Sequence, residues 1–349
     1  MITQFQIGSG GHMSLKDWMD VCLPAIEDEL QHTVSHVEGP SLNDMYFMLA
    51  YHMGWEGEGA GPEARGKRIR PLLVLLCCAS VGVEWRIALP AAAAVELVHN
   101  FSLVHDDIQD QSPLRRSRRT LWKRWGVAQA INAGDALFAL AFIALERLGE
   151  TVSTQAALHA TQVLLESCLT LTKGQYLDIS YEGRNNLTIE DYWPMVSGKT
   201  AALLSACTEL GALAAQANPD VCAAYRRFGH LLGLAFQAQD DLLGIWGDAN
   251  LTGKSVHSDL ISGKKSLPVL YGLSQGGAFA DRWVRGAIQS EEVPELAAQL
   301  EADGARAFTQ EQATKLTAQA LEALQETGLQ GEAGEALSFL AHRLLNRET

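Results

Sequence analysis

Helical periodicity recurs along almost the whole chain, and no run of alternating β-branched residues is long enough to specify a strand. Ala, Leu, Glu and Gln dominate. Breakers punctuate the pattern near 54–66, 112–113, 183–186, 218–219, 247–253 and 276–277. The intervals read as helices of roughly 15 to 30 residues, long for a globular protein. Segment 89–110 reads as one helix with Pro90 in its first turn, where the missing N–H has no intrahelical partner to lose. Segments 127–149, 151–182, 189–217 and 219–246 read as further long helices, and 293–347 as outer helices. No repeat of fixed period is present. The pattern predicts an all-α fold: one domain over 14–349, a bundle of long antiparallel helices around a central cavity. Residues 1–13, MITQFQIGSGGHM, form a Gly-rich leader, flexible or cloning-derived, outside that domain.

Composition narrows the function. Hydrophobic residues make up 47% of the chain, enough for a large core. A net charge of −14 argues against nucleic acid as a partner, so the clustered basic residues point to small anions. The six cysteines form no CxxC pair and mostly sit in apolar surroundings, as buried free thiols of a reducing cytoplasm do. The stretch 86–104 carries Arg86, Glu96 and His99, so no membrane span is expected.

Two acidic clusters carry the chemistry. LVHDDIQDQSPLRR places Asp106, Asp107 and Asp110 at the end of an apolar helix. At about 100° per residue, Asp110 lies roughly 40° from Asp106 and Asp107 roughly 60° from Asp110, so all three are expected on one side. FQAQDDLLGIWGD adds Asp240 and Asp241, with Gln237 one turn before Asp241. A single such cluster is as readily a solvated helix face as a site. Two clusters, each after an apolar helical stretch, favour a site. Such carboxylates suit Mg²⁺, which shares its shell with water and phosphate oxygens. Basic groups flank them: Lys67, Arg68 and Arg70 in GKRIRP, Arg115 and Arg116, Lys199 in SGKT, and Lys254, Lys264 and Lys265 in TGKSVHSDLISGKKSLP. That layout can hold diphosphates directly and through metal. Neither GSGGH nor SGKT has the spacing or the preceding strand of a P-loop.

The blocks GKRIRP, ELVHNFSLVHDDIQDQSPLRR, NAGDALFALAF, KGQYLDIS, GKTAALLSACTELGA, FQAQDDLLGIWGD and TGKSVHSDLISGKKSLP resemble, in order, those of the trans-isoprenyl diphosphate synthases, or polyprenyl synthetases. They span roughly residues 60 to 275. The resemblance implies the isoprenoid synthase fold, usually a homodimer, and an Mg²⁺-dependent condensation of isopentenyl diphosphate with an allylic diphosphate. It implies that Asp106 and Asp110 ligate Mg²⁺ on the allylic diphosphate, with Asp107 in support, and that Asp240 holds a further Mg²⁺ from the opposite wall. By the same resemblance Arg115, Lys199 and Lys254 bind that diphosphate. Lys67, Arg70, His99 and Arg116 would bind isopentenyl diphosphate, and Thr200 and Gln237 would turn oxygen dipoles toward the carbocation. His99 lies seven residues before Asp106, almost beneath it on a helix, which favours a ligand over a purely structural histidine. Gln175 and Asp178 read as supporting groups, Arg118 and Arg119 as solvent-facing, and Lys264 and Lys265 as either a solvated pair or part of the pocket. Product length in the family is set by bulk below the first acidic motif. Phe101 with the small Ser102 resembles the geranylgeranyl (C20) pattern; a farnesyl or longer product is the alternative.

One position departs from the family pattern. The second motif usually reads DDxxD, and here Gly244 stands where the third aspartate is expected. Positions 240, 244 and 248 also share the spacing of the second metal motif of class I terpene cyclases. A cyclase, however, needs one diphosphate site and leaves GKRIRP, His99 and Arg116 without a ligand. A non-catalytic partner subunit typically loses the first motif, which this chain keeps.

Overall fold

A computed structural model describes residues 12–247 and 258–345. In chain order its helices are α1 (Leu15–Val34), α2 (Asn43–His52), α3 (Pro62–Arg65), α4 (Ile69–Ser80), α5 (Leu89–Gln109), α6 (Leu121–Trp125), α7 (Val127–Glu146), α8 (Thr154–Glu182), α9 (Ile189–Val196), α10 (Ala202–Ala214) and α11 (Pro219–Trp246). After 257 follow α12 (Ser258–Ser262), α13 (Leu267–Gln275), α14 (Gly277–Trp283), α15 (Val293–Ala302), α16 (Ala305–Glu326) and α17 (Gly331–Leu345). The expected all-α class holds. Among the described residues the one β feature is a two-residue hairpin, Leu114–Arg115 with Arg118–Arg119.

The sequence explains the boundaries. Asn218 caps α11 by accepting from the Val221 amide at 3.0 Å, and Pro219 follows as its first residue. Ser153 caps α8 the same way through Ala156. Helix α5 forms the centre, packed by α1, α4, α7 and α10. From Pro90 to Asn100 every residue of it but His99 is buried. Each of Val95, Leu97 and Val98 contributes about 1.5–3 kcal/mol by leaving water. Four alanines, 91–94, let neighbouring helices approach closely.

One helix prediction needs correction. Segment 189–217 is not continuous: α9 gives way to a π-turn at Ser197–Ala201 before α10 begins. Gly198, a poor helix former, lies within it.

By length and composition, the helical spans Trp85–Gln109 and Val127–Glu150 could cross a membrane. The apolar window of the first is 72% buried inside the protein, as a core helix is, and that of the second 39%. All six cysteines are free and buried, as the sequence suggested.

Candidate active site

The first acidic wall is the last turn of α5. Here the structure corrects the sequence reading of three aspartates on one side. Asp107 turns inward, 2% exposed, and accepts from Arg115 Nε at 2.9 and 3.0 Å and Nη2 at 2.8 Å. One residue is 100° of helix, enough to separate Asp107 from Asp106. Asp107 therefore holds Arg115, and Asp106 and Asp110 remain as the carboxylates of the wall. Burial pushes the Asp106 carboxyl up to about 6; Lys199 opposes that shift and Asp110 adds to it. Burial raises Asp110 as well, against Lys199.

Opposite stands the π-turn. Helix α8 meets the π-turn at two glycines: a Cβ on Gly174 would lie 2.1 Å from the Lys199 nitrogen, and one on Gly198 2.7 Å from the Gly174 Cα. This backbone contact leaves no room for regular side chains, and the π-turn accommodates it. Extra π-turns within α-helices often mark functional sites. Its side chains reach two different neighbours. Lys199 pairs with Asp178 on α8, and Thr200 Oγ1 donates to Gln237 Oε1 on α11 at 2.8 Å.

The second acidic wall is α11. Adjacent Asp240 and Asp241 have separate fates. Asp241 is fully buried and accepts from Tyr192 Oη at 2.8 Å, Gln237 Nε2 at 2.8 Å and the Leu267 amide at 2.9 Å. Lys264 Nζ lies 3.5 Å from it. Asp240 instead lines a cavity of about 1030 Å³, together with Lys67, Arg65, Gly244 and Arg343. Asp106 and Asp110 do not line that cavity; it lies on the side of Asp240 and Lys67. The two walls meet electrostatically at Lys264, whose charge acts on Asp110 and which is itself flanked by Asp241, Asp259 and Asp240. Burial works against that ammonium, but the carboxylates outweigh it and hold Lys264 above its usual range. Lys264 thus faces carboxylates while its side chain stays 35% exposed, whereas Lys265 is buried with Nζ 5.2 Å from the centre of the Trp283 ring. Lys254 and Asp248 lie outside the described residues.

The basic groups divide into structural and site members. Arg68 turns into the core, donating to Glu27 Oε1 at 2.7 Å, Glu96 Oε1 at 2.8 Å and the Met53 carbonyl at 3.0 Å. Its left-handed φ of 47° begins α4 and separates it from Lys67 and Arg70. Burial, then the charge of Arg70, holds His99 well below the usual imidazole range, so the ring is neutral. Its Nε2 accepts from Arg70 Nη1 at 3.3 Å. Arg70 Nε is a buried donor with no acceptor among the described residues, as expected of a group awaiting an anion. Arg116 donates to the Ala64 carbonyl at 2.9 Å. A Cβ on Gly66 (φ 78°) would lie 2.6 Å from the Arg116 guanidinium carbon, so this glycine makes the space. Arg118 does not face solvent as expected. It donates to the carbonyls of Tyr51 at 2.6 Å, Glu56 at 2.7 Å and Glu58 at 2.9 Å, tying the hairpin to the 51–58 loop. Arg119 is exposed.

Below the first wall, Phe101 packs on Phe138 of α7 with ring centres 5.1 Å apart, and Phe138 packs on Phe142 at 5.1 Å. Ser102 Oγ donates to the His99 carbonyl at 2.8 Å. Gln175 Nε2 donates to Gln109 Oε1 at 2.8 Å, bracing the end of α5.

Sequence reasoning missed Tyr192, Glu96 and Asp259. Tyr192 lies in an ordinary amphipathic turn, and its bond to Asp241 joins residues 49 positions apart. Glu96 was visible as a charge inside an apolar helix, a signal that it must be paired.

Among the described residues no three acidic, His or Cys side chains converge tightly enough to cage a metal unaided. Asp106, Asp110 and Asp240 are hard oxygen donors spread over two walls. That fits a cation completed by water and phosphate oxygens, the habit of Mg²⁺.

A profile described as polyprenyl synthetase matches residues 61–302. The (2E,6E)-farnesyl diphosphate synthase of Mycobacterium tuberculosis (strain ATCC 25618 / H37Rv) is 38% identical over 311 residues, 86% of each chain. The geranylgeranyl diphosphate synthase of the same organism is 47% identical over 229 residues, 65% of each chain. A crystal structure of polyprenyl synthetase from Streptomyces coelicolor A3(2) superposes with a TM-score of 0.84 at 37% identity, covering 95% of this chain and 99% of the other.

Proposed function

The chain belongs to the polyprenyl synthetase family, and from that premise we propose that it joins isopentenyl diphosphate head to tail to an allylic diphosphate, giving a C20 trans-prenyl diphosphate. The observation that supports this reading is the pair of cations between the acidic clusters: Lys199 and Lys264 both act on Asp110 of the first, and Lys264 also feels Asp240 of the second.

Each residue has a task in such a reaction. Asp106 and Asp110 hold one side of the cation site and Asp240 the other. Mg²⁺ bound there would neutralise the leaving diphosphate as the allylic C–O bond breaks. Lys199 and Arg115 add fixed positive charge to the same leaving group, and Asp107 keeps Arg115 aimed. Lys254 is assigned to that diphosphate by the family resemblance alone. The oxygens of Thr200 and Gln237 face the developing carbocation. Lys67, Arg70 and Arg116 bind isopentenyl diphosphate, and neutral His99 fixes Arg70 rather than supplying charge. The proton lost after carbon–carbon bond formation goes to the departing diphosphate, so no protein base is required. Apolar helix walls exclude the water that would quench the cation.

Purified protein with isopentenyl diphosphate and dimethylallyl, geranyl or farnesyl diphosphate in turn, with and without Mg²⁺, tests the proposal by product chromatography. A C20 diphosphate formed only with metal supports it. Hydrocarbon released from geranylgeranyl diphosphate alone would make the chain a cyclase, and no isopentenyl consumption would make it a non-catalytic subunit.

Product length rests on Phe101 and its stack with Phe138 and Phe142, with Ser102 beside it. Phe101→Ala should open the floor and lengthen the product by at least one isoprene unit. An unchanged product would remove Phe101 as the stop.

The protein acts, in this reading, as a cytoplasmic homodimer. Helices α7 and α8 pack together and expose Ile131, Ile143, Leu158, Leu169 and Tyr176, apolar surface suited to a second copy. Light scattering should give twice the single-chain mass; a single-chain mass would reject the dimer.

A further inference from the structure

We propose that His52, at the end of α2, is a positioning residue for both diphosphate sites: its Nε2 holds one buried water against Arg115 and Arg116. The proposal rests on the synthase reading above, which gives Arg115 to the allylic diphosphate and Arg116 to isopentenyl diphosphate. His52 is the last residue of α2. Its Nε2 is buried and has no hydrogen-bond partner among the described residues. A buried polar atom is rarely left so, and its surroundings show what would pair with it. The ring lines a cleft of about 20 Å³ together with Asp107, Arg115, Arg116 and Thr120. That is room for about one water.

The charges around the ring decide its role. Burial, then Arg115, Arg116 and Arg68, drives the imidazole down to about 3, against a hydrogen bond with the Asn100 backbone. The ring is therefore neutral at physiological pH and keeps one nitrogen as a lone-pair acceptor. Guanidiniums only donate, so the favourable tautomer turns that acceptor to the arginines. Arg115 spends Nε and Nη2 on Asp107, and Arg116 spends Nη1 on the Ala64 carbonyl. Each keeps N–H groups for a further acceptor. A water in the cleft can accept from both arginines and donate to His52 Nε2 and to Asp107. Those are partners enough to hold a buried water. Arg116 and Ser117 are left-handed, with φ of 49° and 61°, and the turn splits the adjacent arginines, one toward Asp107 and one toward Ala64. The water is what would tie them together again. The competing explanation makes His52 a packing residue. Packing is indifferent to the lone pair, whereas positioning depends on it.

The test uses the full chain with geranyl and isopentenyl diphosphates, comparing wild type, His52→Leu and His52→Gln, with thermal melting to follow folding. Leucine keeps much of the bulk and removes the acceptor. Glutamine places an amide oxygen near the position of Nε2. Folded His52→Leu should raise KM for both diphosphates about tenfold, because both guanidiniums lose their brace. His52→Gln should return both KM values to within about threefold of wild type. A folded His52→Leu protein with wild-type KM values would overturn the proposal. So would a folded His52→Gln protein no better than His52→Leu. If leucine unfolds the chain, a crystal structure of the wild-type protein showing ordered waters decides. A water within hydrogen-bond reach of His52 Nε2 and both guanidiniums supports the proposal, and a cleft without one overturns it. The same crystal structure decides if the wild-type protein consumes no isopentenyl diphosphate, a result that would sink the synthase reading itself.

Discussion

Asp106→Asn is expected to cut turnover about a thousandfold while making the free protein more stable at neutral pH. Both effects have one cause. Asp106 is held in a partly buried, acidic corner where folding favours its protonated form, with a carboxyl pushed from 3.8 up to about 6. A raised carboxyl pKa contributes stability that is complete below 3.8 and is lost as pH rises through about 6. At pH 7 the ionised group therefore costs stability, and asparagine removes a cost of up to about 3 kcal/mol. Strain of this sort is common where a site is kept ready for a charge it does not itself contain. Two measurements check the prediction: isopentenyl incorporation, and thermal melting from pH 4 to pH 8 without metal. The wild-type protein should lose stability across that range relative to Asp106→Asn, and the two should converge near pH 4. Parallel melting curves, or a variant retaining more than a tenth of wild-type turnover, would remove Asp106 from its proposed place.

Arg68→Ala should cost about 3–5 kcal/mol of stability, the largest effect expected of any single arginine here. The guanidinium is buried with Glu27 and Glu96; its removal leaves Glu96 without a cation in the interior and Glu27 with Trp55 Nε1, at 2.6 Å, as its remaining side-chain donor. Glu96 is 2% exposed, and its other side-chain partner is Asn100 Nδ2 at 3.0 Å. Lysine should not rescue, because one ammonium cannot reach Glu27, Glu96 and the Met53 carbonyl at once. Lys67, one residue earlier, makes the contrast: Lys67→Ala should leave melting nearly unchanged and weaken isopentenyl diphosphate binding. Urea unfolding of Arg68→Ala, Arg68→Lys and Lys67→Ala decides this. Equal stability of Arg68→Ala and Lys67→Ala would mean that the buried network contributes nothing.

The sequence by itself determined the class of fold, because the 3.6-residue period, Pro90 in a first turn and the breakers between segments are local properties. It also determined which residues carry charge beside apolar helices, and hence the two acidic clusters. Their order along the chain carried the family resemblance that the profile match over 61–302 bears out. What only the tertiary structure decided is the direction each of those charges faces. Asp106 and Asp107 are neighbours in sequence, as are Asp240 and Asp241 and as are Lys67 and Arg68. In each pair one member turns inward to a partner, eight positions on for Asp107 but 28 for Arg68 with Glu96 and 49 for Asp241 with Tyr192, and the other is left to the site. The π-turn at Lys199 likewise lies where Gly174 and Gly198 meet, a contact between residues 24 positions apart. Local periodicity encodes the helix and its faces, but pairing energies depend on distance in space, and a window of sequence does not show which charges meet, even where it contains both partners as for Asp107 and Arg115.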